Sequence, residues 1–211
     1  MVVGGSVLGN SSTLEVRWIR PGSLTASMTE WFGSFGGEFE SREDAYLVGQ
    51  EVRGLSVKIR GGSLLDVKVT QGDGGVVDLP GRVRGRLQAW KKWSFPIPLV
   101  SGIDDESLDW VRVGKMRRIV WFSIADGKPT SRGSVANAEV TCAVELTEVV
   151  KGGESWWTLG FEANGPTDAL PGAIDATAAV VFREHLPDGL ELSLSDSMSY
   201  SEWLHRPASV I

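Results

Sequence analysis

Histidine and cysteine are nearly absent: the 211 residues hold two of the former and one of the latter. A single cysteine, Cys142, excludes an internal disulfide, and it falls on the apolar side of an alternating segment, where a thiol is a small core residue rather than a nucleophile. The two histidines, His185 on a helical stripe and His205 near the C-terminal end, sit in unlike contexts and suggest no metal pair. No apolar run approaches the roughly 18 residues that a membrane helix needs, so no membrane partner is expected. The opening MVVGGSVLGNSST has neither a basic start nor a long apolar core; residues 1–12 read as a flexible tail rather than a signal peptide, and a cytoplasmic location is the default expectation. Positive charge is not in surplus either. A net charge of −6 argues against a general nucleic-acid binder.

Glycine and tryptophan are plentiful, at 26 and nine residues, and the charge is unevenly spread. Residues 53–118 carry 13 Lys and Arg against 7 Asp and Glu, while the remainder carries 8 against 20. A basic middle thus sits inside an acidic chain, either as a solvated strand face or as cations that converge on an anion.

Alternation at period two marks strands with one buried face. TLEVRWI (13–19) puts Leu14, Val16 and Trp18 on one side and Thr13, Glu15 and Arg17 on the other. LSVKIRGGSLLDVKV (55–69) reads as a hairpin. A two-residue turn at the glycines would mix its faces, whereas a three-residue loop of Gly61, Gly62 and Ser63 pairs Val57 with Val67, Lys58 with Asp66 and Ser56 with Lys68. Leu55, Val57, Ile59, Leu65, Val67 and Val69 then form a buried face, and Ser56, Lys58, Arg60, Asp66 and Lys68 a polar one. REDAYLV (42–48) precedes this hairpin, and the glycine-rich QGDGGVVDLPG (71–81) follows it as a loop. Further strands are expected over 82–95, where Arg86, Gln88, Trp90 and Lys92 share a face, over 110–124, where Lys115 and Arg117 do, over the AEVTCAVELTEV segment, which carries Glu139 and Glu145 on one side, and over 156–163 with Glu162. Two helices are expected: a short one capped by Ser23, and one over 172–186. SYSEWLHRP near the C-terminal end supplies Tyr200, Trp203 and Leu204 to dock on the body.

So many consecutive strands predict one mainly antiparallel α+β domain over 13–211, a sandwich or a barrel with a few peripheral helices. Several polar faces carry three or more charges of mixed sign, which is costly to bury unless the interior is wet and the ligand charged.

The order of these segments, from Glu15 and Arg17 through Asp44, Tyr46 and Leu47, LSVKIRGG, LLDVKV, KKW, KMRR, VELTEV and LGFEA, resembles the CYTH superfamily of triphosphate tunnel metalloenzymes over about 13–162. That resemblance implies an eight-stranded barrel around a tunnel, cations that hold a triphosphate, and glutamates that hold Mg or Mn. It implies Arg17, Lys58, Arg60, Lys68, Lys92, Lys115 and Arg117 as anion-binding residues, with Arg118 as the alternative to Arg117. Glu15, Glu145 and Glu162 become metal ligands, and Glu15 and Glu145 catalytic residues, of a Mg- or Mn-dependent triphosphatase acting on a phosphorylated small-molecule anion. The chain departs from the family pattern E-x-E-x-K in having Thr13 and Arg17, and it has Ser56 where a second arginine is common. Two alternatives stay open: an anion-binding module without turnover, and an unrelated calycin-like barrel for a small apolar ligand. Each charged face also has a plain reading as solvated surface, and a homodimer is compatible with either.

Overall fold

The computed structural model describes residues 9–49, 54–79, 83–98, 110–132, 138–183, 186–187 and 190–206. Nine strands form one antiparallel sheet: β1 (Gly9–Pro21), β2 (Glu38–Leu47), β3 (Leu55–Arg60), β4 (Leu64–Leu79), β5 (Val83–Pro96), β6 (Trp110–Ala125), β7 (Lys128–Arg132), β8 (Thr141–Lys151) and β9 (Glu154–Asn164). Their order is β2-β3-β4-β5-β1-β9-β8-β6-β7, and β2 also pairs with β6. That last pairing closes eight strands into a barrel and leaves β7 as a short extension on the edge of β6 beyond β2. Closure removes the open edges that a sheet of this length would expose. Among the described residues three helices accompany it: α1 (Ala26–Gly33), α2 (Leu170–Val181) and α3 (Tyr200–Leu204).

The β3–β4 hairpin has the register expected from its faces, with Leu55 opposite Val69, Val57 opposite Val67 and Lys58 opposite Asp66, and Gly61–Ser63 as the loop. Burial, however, does not separate the two faces. Of its apolar face only Ile59 is buried, the rest being half-buried on the outer wall, whereas Asp66 on the polar face is 1% exposed. Period two assigns residues to faces but does not say which face becomes concave, and here the polar face is the inner one.

Other expectations shift. β1 begins at Gly9, so 9–12, read as tail, pair with 91–94 of β5. The cap of α1 is Thr25, whose side chain accepts from Met28 N–H, rather than Ser23. The stretch read as a loop over 71–81 is mostly strand: β4 continues to Leu79 across irregularities between Thr70 and Gly72 and between Asp73 and Gly75. Gly72 and Gly75 take φ of 121° and 96°, which lets the strand kink without ending. α2 starts at Leu170, before the expected 172, with a proline in its first turn, and ends at Val181. His185 lies outside the described residues.

Two apolar cores hold the barrel. The larger is outside it, where the outward faces of β1, β8 and β9 (Val16, Trp18, Val144, Phe161) meet α1 and α2 through Phe32, Ile174 and Ala178. Cys142, 0% exposed, belongs to this core, and burial pushes its thiol up to about 12. The smaller core lies within one mouth of the barrel, where inward-facing Ile19, Tyr46, Val113 and Val149 pack on Met198, Trp203 and Leu204. The segment expected to dock does so as α3, held by a capping box between Ser199 and Glu202. Between this plug and the far mouth the lumen is polar.

Candidate functional site

The lumen holds a cavity of about 200 Å³, lined by eight cations and four carboxylates together with Tyr46, Tyr200, Trp90 and Trp121. All ten residues that the sequence singles out (Glu15, Arg17, Lys58, Arg60, Lys68, Lys92, Lys115, Arg117, Glu145 and Glu162) line it. Alternation brings them there: odd positions on β1, β6 and β8 and even positions on β2, β3, β4, β5 and β9 point inward. Arg118 takes the outward face, beside Gly33 of α1, and Glu139 is exposed.

One wall, formed by β2 to β6, is cation-rich. Asp44 on β2, completely buried, receives Lys115 Nζ at 2.9 Å, Arg42 Nε at 3.0 Å and Lys58 Nζ at 3.4 Å. Asp66 on β4 is approached by Arg60 Nε at 3.3 Å, Lys92 Nζ at 3.9 Å and Lys58 Nζ at 4.0 Å, and accepts from Ser94 Oγ at 2.7 Å. Five cations therefore share two almost completely buried carboxylates, and all five line the cavity, as does Asp66, whereas Asp44 lies behind the lining. Lys115 also donates to Tyr46 Oη at 2.6 Å and lies 3.8 Å from the centre of the Tyr200 ring, on the inner side of the plug.

The charge imbalance decides the ionisation. Burial alone would raise Asp44, but Lys58, Lys115 and Arg42 outweigh it and hold the carboxyl well below its usual range. Burial in turn pulls Lys58, Lys92 and Lys115 below the usual lysine range, outweighing the carboxylates near each. Tyr46 and Tyr200 are pushed up to about 12, chiefly by burial, and stay neutral.

The opposite wall, β1, β8 and β9, carries Glu15, Glu145 and Glu162. Glu15 and Glu162 are directly opposite across the β1–β9 ladder. Lys68 reaches from β4 to bond Glu15 Oε1 and to approach Glu162 Oε2 at 3.5 Å. Thr13, which stands where the family pattern has a glutamate, donates to the same Glu15 oxygen at 2.8 Å. Both oxygens of Glu145 are held by guanidiniums, Oε1 by Arg17 at 2.5 Å and Oε2 by Arg117 at 3.1 Å. Gly160, opposite both Arg17 and Glu145, makes this possible: a Cβ there would come within 2.8 Å of the Arg17 guanidinium.

Mg and Mn take oxygen ligands with open lone pairs. Among the described residues no group of three or more His, Cys, Asp or Glu side chains converges as a metal site, and the three glutamates named for that role are engaged by Lys68, Arg17 and Arg117. As it stands the donor set does not fit the metal.

Sequence reading did not single out Arg42, Asp44, Glu40, Asp66 or Tyr200 as site residues. Asp44 and Tyr46 look like an ordinary strand pair until closure places β6 beside β2, and Glu40 becomes visible only through its bonds to Arg42 and Arg117. Acidification should test this network. Asp44, Glu145 and Glu162 lie below their ordinary values when folded, Glu162 at about 2, although burial by itself would raise each; cations of the lumen outweigh it. Such groups stabilise fully above the unfolded value of about 4 and lose that contribution as pH falls through the folded ones. The urea midpoint should stay nearly flat from pH 7 to pH 5 and drop steadily below about pH 4; a midpoint that stayed flat or rose below pH 4 would show these carboxylates to be unpaired.

No family model matches the chain, and no characterised protein matches it by sequence. Among solved structures it is similar to the Pct1 RNA triphosphatase of S. pombe, with 13% identity over 82% of this chain and 79% of that one and a TM-score of 0.40. The structure of that enzyme in complex with the Spt5 CTD gives 11% identity over 84% and 80%, with a TM-score of 0.39. No helix among the described residues is long and apolar enough to cross a membrane.

Proposed function

We propose that the lumen binds a phosphorylated anion carrying an oligophosphate chain of about triphosphate length. The observation that carries this reading is that only two acids, Asp44 and Asp66, each at most 1% exposed, are shared by five cations that all line the cavity, with side chains 4–27% exposed. Two shared acids organise five cations and leave the lining with eight cations against four carboxylates. Like charges also stand directly across strand pairs: Arg42 and Lys115 are already joined by Asp44, whereas Lys68 opposite Lys92 is a pair that a bound anion would relieve. Arginine offers phosphate a bidentate fork and lysine a point charge, and both are present. A volume of about 200 Å³ lies below the ~300–1,000 Å³ of sites that enclose drug-sized ligands, which favours a narrow chain, and so charged a lining disfavours the apolar ligand of a calycin-like barrel.

Binding is the core of the reading, and turnover is secondary. Metal-dependent hydrolysis with Glu15 and Glu145 as catalytic residues requires those carboxylates to leave their protein cations. Titration calorimetry with tripolyphosphate at low salt tests binding. Lys58 bridges Asp44 and Asp66, each of which keeps two other cations without it, so Lys58→Ala should remain folded. A charge-assisted contact contributes about 1.5–3 kcal/mol, so the variant should bind roughly ten- to a hundredfold more weakly. A folded wild type that takes up no tripolyphosphate would end this reading.

A further inference from the structure

Resting on the binding function just proposed, we infer that Lys68 is the built-in counter-cation of the glutamate wall, occupying the place where a divalent metal would bind, so that the lumen takes up its polyanion without metal. Three observations carry this. The Lys68 ammonium lies between Glu15 and Glu162, which face each other across β1 and β9 and come from the wall that would otherwise offer oxygen ligands. Thr13 directs its hydroxyl to the same Glu15 oxygen, so that oxygen already takes two donors, and at this position the chain supplies a donor instead of a third carboxylate. Finally, Glu145 has both oxygens on guanidiniums, which do not deprotonate and do not yield to a metal by losing a proton.

The arrangement is self-consistent in charge. A lysine held between two carboxylates keeps its proton, and Lys68 is accordingly the one lumen lysine raised well above its ordinary range, by Glu15 and Glu162 against burial. An ammonium placed there can do electrostatically part of what a bound cation does: it neutralises the glutamates that would repel an incoming phosphate, and Lys68 itself lines the cavity. It cannot supply a metal's activated water, so the inference separates anion capture from hydrolysis at this wall.

The experiment has two arms. In the first, tripolyphosphate is titrated into wild-type protein in EDTA and again with Mn²⁺. Lys68 as counter-cation predicts binding in EDTA within about threefold of the affinity with metal; binding that appears only with Mn²⁺ overturns the inference while leaving the polyanion function standing, and binding in neither condition overturns both. In the second arm Mn²⁺ alone is titrated and followed by electron paramagnetic resonance. Wild type should leave Mn²⁺ free, whereas Lys68→Met, which keeps the aliphatic stem and frees Glu15 and Glu162, should bind it at least tenfold more tightly. Lys68→Ala serves as the second variant, and circular dichroism checks that each is folded. Equal Mn²⁺ binding by wild type and folded variants would show that Lys68 does not hold the metal's place.

Discussion

Replacing Asp44 by alanine is expected to lower the unfolding free energy by about 3–5 kcal/mol, the range for breaking a buried ion pair by removing one partner. Asp44 is completely buried and is shared by Arg42, Lys58 and Lys115, so its loss strands cations in a region that burial already makes unfavourable for them. Asp44→Asn keeps the shape and a hydrogen-bond acceptor, so most of the same loss in that variant would assign the effect to charge. Ligand supplies a second reading. A polyanion that meets the same cations replaces part of the missing charge, so tripolyphosphate should raise the melting temperature of Asp44→Asn by more than that of wild type. Chemical unfolding measures the first effect, and thermal unfolding with and without tripolyphosphate the second. A loss below about 1 kcal/mol would mean that the three cations reach water, and the recessed-acid account of the lumen would fail.

Trp203→Ala is the second large effect, at about 3–5 kcal/mol. Trp203 is 2% exposed within the mouth of the barrel, its ring 5.4 Å from that of Trp156 and 6.0 Å from that of Tyr200, and it packs with inward-facing Ile19, Val113 and Val149. Removing it leaves a cavity among Ile19, Val113, Val149, Met198 and Leu204 at that mouth. The variant should also weaken anion binding, because Tyr200, one turn away in α3, lies 4.8 Å from the Arg17 guanidinium and 3.8 Å from Lys115 Nζ. Tyr200→Phe, which keeps the ring and loses only the hydroxyl, should retain most of the stability. Urea unfolding of the three proteins checks this, and a Trp203→Ala midpoint equal to wild type would show that α3 merely rests on the barrel.

Local chemistry made much of the site legible. The faces of β3 and β4 and the glycine loop between them set a register that places Lys58, Arg60, Asp66 and Lys68 together, and the same alternation groups Lys115 with Arg117 and Glu15 with Arg17. Contacts between distant strands were not legible. Asp44 meets Lys115 because β2 pairs with β6, and Glu145 meets Arg17 because β8 and β1 flank β9; neither neighbour relation is written in the spacing of residues. The cap of α1 was missed because Ser23 and Thr25 are both good caps and only the chain's entry angle selects Thr25. β4 was cut short because glycines that signal a turn also permit a bulge.

The sequence by itself determined that this chain is built of antiparallel strands, and which side chains share a face, since a period of two leaves no freedom in that choice. Only the tertiary structure decided that the charged faces turn inward. Alternation is symmetric between the two sides of a sheet, and the sign of its curvature is set by what covers the outside and what closes the ends. Here α1 and α2 cover the apolar side of β1, β8 and β9, α3 fills one mouth, and the pairing of β2 with β6 closes the wall, so the cations face a small lumen instead of bulk water.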